Sequence, residues 1–130
     1  MQYMILIYLK EDALNESQRA ACYEESAAFA RKLHAGGQYV MAAPLHPTAT
    51  ATSVRTVEGR TLVTDGPFAE TREQLGGFFL VEATNLDEAI GIAKQIPAGK
   101  WGTVEIRPVM EIFGLPERQA VDFAVSRRTQ

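Results

Sequence analysis

Tyr3 to Leu9 is an unbroken run of apolar and aromatic side chains near the start of the chain. A run this short and this rich in strand formers predicts a strand buried on both faces, hence one in the middle of a sheet. The period then changes. Cys22, Ser26, Phe29, Ala30 and Leu33 share one face of a helix, while Glu24, Glu25, Arg31 and Lys32 fall largely elsewhere. Asn15 is placed to cap that helix, Gln18 to complete a capping box, and Gly36-Gly37 to close it. Tyr39 to Ala43 predicts a second strand, followed by the irregular Pro44-Leu45-His46-Pro47. Thr52 to Val57 and Arg60 to Asp65 flank Glu58-Gly59, a pair suited to a two-residue hairpin. Gly77 to Ala83 is again apolar on both faces, which predicts a second central strand. Asn85 and Glu88 then start a helix whose Leu86, Ala89, Ile90, Ala93 and Ile96 recur at helical spacing until Pro97 stops it. In Thr103 to Val109, Val104 and Ile106 alternate with Glu105 and Arg107, and Pro108 assigns this strand to an edge.

The resulting order is strand, helix, strand, inserted hairpin, strand, helix, strand. This is an α+β chain, a ferredoxin-like βαββαβ unit with an inserted β-hairpin, in which the first and third main strands are central. The two doubly apolar runs occupy those two places. Two helices cover one face of such a sheet, so the apolar second face predicts packing against another copy, a homodimer. From Gly114 to the end the pattern stands apart: either Pro116 starts a helix with Ala120, Val121, Ala124 and Val125 as its apolar stripe, or the tail frays.

Composition sets outer limits on function. With 130 residues, 46% hydrophobic and 22% charged, the chain suits one soluble domain with a real core. Its single cysteine, Cys22, allows no internal disulfide, no secretory leader pattern opens the chain, and Met1 to Leu9 is too short to cross a bilayer. The expectation is a cytoplasmic protein with no membrane association. A net charge of −3 argues against nucleic acid as a partner, since phosphate binding needs a basic face. Cys22, His34 and His46 show no metal-ligand spacing, and Gly76-Gly77 enters a strand, where a phosphate loop would enter a helix. No metal, nucleotide or flavin is implied, and haem would have only His46 as an axial ligand.

Candidate chemistry centres on Thr64-Asp65-Gly66-Pro67-Phe68. Asp-Gly ordinarily marks a turn, with the aspartate accepting from the N–H two residues on. Here that residue is Pro67, which has no N–H, although the Phe68 N–H remains within reach. About ten residues separate the flanking strands, a length at which loops tend to carry function. Within that loop Thr71 and Gln74 are spaced to cap a single helical turn, Glu70, Arg72 and Glu73 supply both signs of charge, and Phe68 reads first as a plug over the core and second as a substrate platform. His46 follows a strand, where side chains reach into clefts, whereas His34 sits near a helix C-terminus and reads as structural. Asp65 and His46 are therefore the catalytic candidates, since imidazole moves a proton near neutral pH while a carboxylate fixes its tautomer. Tyr8, Arg55, Phe68 and Glu73 are candidates for touching a substrate.

Leu62-Val63-Thr64-Asp65-Gly66-Pro67-Phe68-Ala69-Glu70-Thr71-Arg72-Glu73-Gln74-Leu75-Gly76-Gly77-Phe78 resembles the signature of the YCII-related family, in the branch named for its Asp-Gly-Pro-Phe motif. Tyr3 to Tyr8, the run Pro47 to Thr52 and Val104 to Val109 fit as well, so the resemblance covers residues 1–113 and leaves 114–130 as a tail. It implies the dimeric α/β-barrel superfamily, in which two ferredoxin-like sheets face each other around a cavity. Superfamily relatives include cofactor-free oxygenases, lactone isomerases and haem enzymes. A neighbouring branch has been proposed to be enzymatic through a paired histidine and aspartate, and Asp65 matches that aspartate by motif. Genes of the Asp-Gly-Pro-Phe branch often lie beside those of extracytoplasmic-function sigma factors. Two readings follow. One is a small enzyme without cofactor, acting on a small organic molecule in the dimer cavity through Asp65, with or without His46. The other is a non-catalytic ligand-binding or regulatory protein linked to such a sigma factor.

Overall fold

A computed structural model describes residues 1–117. The stripe expected at Ala120 to Val125 lies outside the described residues. Strands β1 (Gln2–Leu9), β2 (Tyr39–Pro44), β5 (Gln74–Glu82) and β6 (Gly102–Pro108) form one antiparallel sheet in the order β2-β5-β1-β6. β1 and β5, the doubly apolar runs, are indeed central, and the proline-bearing β6 is at an edge. Helices α1 (Glu16–Ala35) and α2 (Leu86–Ala93) supply the ferredoxin-like crossovers. Strands β3 (Thr52–Val57) and β4 (Arg60–Asp65) pair only with each other. Their turn, Glu58 at φ 51° and Gly59 at φ 77°, has the two positive φ values that a right-twisted hairpin favours.

Alternation along β1 sends Tyr3, Ile5 and Ile7 into the core, where Phe79, Val81, Phe29, Leu33, Ala89 and Ile92 meet them. The rings of Phe29 and Phe79 lie 5.9 Å apart at 53°. Both helices thus cover one sheet face. On the other, Met4, Leu6, Tyr8 and Phe78 are only half-buried.

α1 starts as its sequence requires. Asn15 Oδ1 accepts from the Gln18 N–H at 2.8 Å, and Gln18 Oε1 accepts from the Asn15 N–H at 2.9 Å, a complete capping box. What the helix presents inward is uneven. Phe29 and Leu33 fill the core toward its C-terminal end, but its middle brings Cys22, Ser26 and Ala27 to the space beneath it. Those side chains are too small to reach the sheet.

Two boundaries differ from the sequence reading. β5 begins at Gln74, because a bulge beside Gly76 lets Leu75 pair with Tyr8 and Gln74 with Leu9. The loop after β4 therefore spans only Gly66 to Glu73, and no helical turn forms at Thr71. Gln74 instead donates its side-chain amide to the Thr71 carbonyl at 3.0 Å. α2 ends at Ala93, earlier than its apolar spacing suggests. Ile96 reaches the core from extended backbone (φ −66°, ψ 120°) ahead of a 3-10 turn at Pro97–Trp101, since the residue before a proline is driven out of the helical region.

Candidate functional site

Asp65 ends β4 opposite Thr52. Gly66 follows at φ +102°, a conformation open to glycine, and its N–H donates to the Ala51 carbonyl at 2.8 Å. The Ser53 hydroxyl donates to the Gly66 carbonyl at 2.7 Å. The corner is thus secured by Ser53 and Ala51. The exposed Asp65 carboxylate accepts no hydrogen bond among the described residues, so the turn does not use it.

Phe68 does not plug the core. It is 76% exposed, and its ring meets the Arg55 guanidinium 5.4 Å from the centroid. The physical reason lies in the hairpin, which forms its own two-stranded sheet apart from the four-stranded one and holds Phe68 over its own arginine.

A second group gathers at one end of the sheet. Tyr8 is opposite Thr103 on β6 and Leu75 on β5. The Thr103 hydroxyl lies 2.9 and 3.0 Å from the two Glu73 carboxylate oxygens, donating to that group. Tyr8, Glu73 and Thr103 therefore share this end, on the face not covered by helices.

His46 lies elsewhere. It lines a partly enclosed cleft of ≈ 830 Å³ between α1 and the β2–β5 side of the sheet. Ile7, Leu14, Cys22 and Phe79 make its wall apolar, and Glu11, Arg19, Tyr23 and Arg31 join His46 among its polar residues. This volume falls inside the roughly 300–1,000 Å³ typical of small-molecule sites. The cleft exists because the middle of α1 carries the short side chains of Cys22, Ser26 and Ala27 over it.

The loop bearing His46 is fixed on both sides. The Leu45 N–H donates to the Gly76 carbonyl at 2.8 Å, and the Thr48 N–H donates to Glu11 Oε1 at 2.7 Å. Hydrogen bonding by Thr48 holds the Glu11 carboxyl below the usual carboxylate range, with a smaller contribution from the Arg19 charge and a modest opposing desolvation. Gly77 shapes the cleft floor: a Cβ there would stand 2.9 Å from the Ala43 carbonyl oxygen, so β2 could not lie as close to β5.

The structure therefore distributes the six sequence candidates. Arg55 stacks on Phe68, Tyr8 and Glu73 share a sheet end, and His46 lines the cleft. No hydrogen bond joins Asp65 to His46 among the described residues, and Asp65 is not part of the cleft wall. Sequence reasoning missed Glu11, Arg19 and Ser26. Their signal was the shortness of the side chains on the inward face of α1, with charged residues where that face meets the next loop.

Comparison with known proteins places this geometry. The model of the YCII-related domain matches residues 1–113. An uncharacterised protein of Rhizobium meliloti (strain 1021) is 36% identical over 114 residues, covering 84% of this chain and 92% of the relative. Among solved structures, 5-chloro-2-hydroxyhydroquinone dehydrochlorinase (TftG) of Burkholderia phenoliruptrix AC1100, in complex with 2,5-dihydroxybenzoquinone, superposes with a TM-score of 0.51 at 17% identity. The match covers 85% of this chain and 94% of that one. At that identity the likeness shows the fold. No helix among the described residues is long and apolar enough to cross a membrane.

Proposed function

The chain belongs to the YCII-related domain family, and we propose that this member is an enzyme acting on a small organic molecule held in the cleft between α1 and the β2–β5 side of the sheet. One observation carries the reading: a largely apolar hollow of ligand size has His46 in its wall, on a loop tied down at Leu45 and Thr48. Imidazole is the side chain that gains and loses a proton near neutral pH, so His46 takes the role of general acid/base. Asp65 remains the second candidate acid. Its carboxylate accepts no hydrogen bond among the described residues and acts, in this reading, where two copies meet. The homodimer forms through the sheet face bearing Met4, Leu6 and Phe78, which the helices leave uncovered. The dehydrochlorinase similarity adds that this fold holds a small cyclic organic molecule, 2,5-dihydroxybenzoquinone, in another protein.

A thermal-shift screen of a metabolite library, run on native protein, His46→Gln and Asp65→Asn, tests this, because a ligand of the folded state raises its stability. A hit that binds all three but is turned over only with His46 present supports the reading. Turnover unchanged in His46→Gln removes it.

A regulatory role is favoured by a different feature: Met110, Ile112, Phe113 and Leu115 follow β6 with their side chains exposed, as a partner-binding segment would. In that reading the partner is an extracytoplasmic-function sigma factor. A pull-down with such a factor encoded nearby, using native chain and one truncated after Val109, separates the two: capture lost on truncation supports regulation, and no capture removes it.

A further inference from the structure

Within the proposed cleft, the geometry points to an organic anion with a hydrocarbon body, most simply an aromatic carboxylate or phenolate, recognised by Arg19. The inference rests on the cleft being the ligand site and goes on to name what enters it.

Arg19 is half-buried in the cleft wall. Its Nη2 donates to the Glu11 carbonyl at 2.7 Å, which fixes the guanidinium there. That bond uses one of the five N–H donors an arginine carries. Among the described residues the ion pairs are Met1 with Glu82 and Lys100 with Glu25, so Arg19 is in none. A guanidinium withdrawn partly from water, held in place and in no close ion pair among the described residues, its charge acting on the Glu11 carboxylate only from a distance, is suited to take a ligand carboxylate in paired hydrogen bonds.

The rest of the wall agrees. Two guanidiniums, Arg19 and Arg31, stand against one carboxylate, Glu11, and that carboxylate is already committed to the Thr48 N–H. Ile7, Leu14, Cys22 and Phe79 offer an incoming body apolar contact and few hydrogen bonds. A sugar would leave most of its hydroxyls without partners against Ile7, Leu14, Cys22 and Phe79, and a bare inorganic anion would leave those side chains uncovered. A flat hydrocarbon ring with a single anionic group would not.

The test uses benzoate and phenylacetate beside their neutral isosteres benzamide and phenylacetamide, with inorganic phosphate as a polar anion, titrated into isotope-labelled protein and followed by amide chemical shifts. Native protein should bind the carboxylates about tenfold or more tightly than the amides, the scale of a hydrogen bond to a charged group, and more tightly than phosphate, which brings no hydrocarbon body to the apolar wall. Arg19→Gln should abolish that preference while leaving amide binding unchanged, which also shows that the variant folds. Arg19→Lys should keep part of it, as a point charge lacks the paired donors. Equal binding of acids and amides, or a preference that survives Arg19→Gln, overturns the anion assignment and leaves the cleft standing as a ligand site. If no probe shifts any amide of the cleft wall, both fall.

Discussion

Ser26→Leu should make the protein more stable while closing the cleft. Ser26 is half-buried on the inward side of α1, lines the hollow, and makes no side-chain hydrogen bond among the described residues. Full burial of a leucine side chain is worth roughly 1.5–3 kcal/mol, and a half-buried position recovers about 1 kcal/mol of it. Leucine also adds a few tenths of a kcal/mol as the better helix former. Against a hollow of ≈ 830 Å³ the added carbons meet space. For a chain of this size, about 1 kcal/mol corresponds to a melting temperature higher by roughly 4 °C. Calorimetry reads that shift, and titration with benzoate reads the loss of the site. A close-packed core would answer differently, losing about 1–3 kcal/mol to overpacking. A fall of that size with ligand binding intact would show that no such hollow exists beneath α1.

Other consequences can be read from stability. Asn15→Ala breaks the capping box and should cost about 1 kcal/mol in urea unfolding. Phe29→Ala removes a buried ring tilted against Phe79 and should cost about 3–5 kcal/mol, a large part of the stability of an ordinary domain. Because the Glu11 pKa is lowered on folding, its tether to Thr48 contributes stability that is present above the ordinary carboxylate pKa and is lost as pH falls through the lowered value. Acid titration of the Thr48 amide resonance should show that release, and Glu11→Gln should abolish its pH dependence.

Much of the fold was legible because the chain states it locally. The doubly apolar runs at Tyr3–Leu9 and after Gly77 marked the central strands, Asn15 with Gln18 marked the start of α1, and Glu58-Gly59 marked the hairpin turn. Register is a property of pairs, so the bulge that draws Gln74 and Leu75 into β5 could not be read from either strand alone. Phe68 was misplaced for a related reason: a large apolar residue is ordinarily buried, and only the separation of the hairpin from the main sheet leaves it outside. The cleft was harder still. Cys22, Ser26 and Ala30 were correctly assigned to one face, but a missing volume shows only when the opposing wall of Ile7 and Phe79 is in place. Arg19 carries no signal of its own in the sequence, and its place in the cleft wall shows only once its helix is set over the sheet.

The most direct test of the account is to locate a bound ligand. Nuclear Overhauser contacts from the strongest hit of a metabolite screen, or from benzoate, should reach the methyl groups of Ile7, Leu14 and Ala30 and the His46 imidazole. Contacts confined to Tyr8, Glu73 and Thr103, which share one end of the sheet and are not part of the cleft wall, would place the ligand outside the cleft and contradict the central claim.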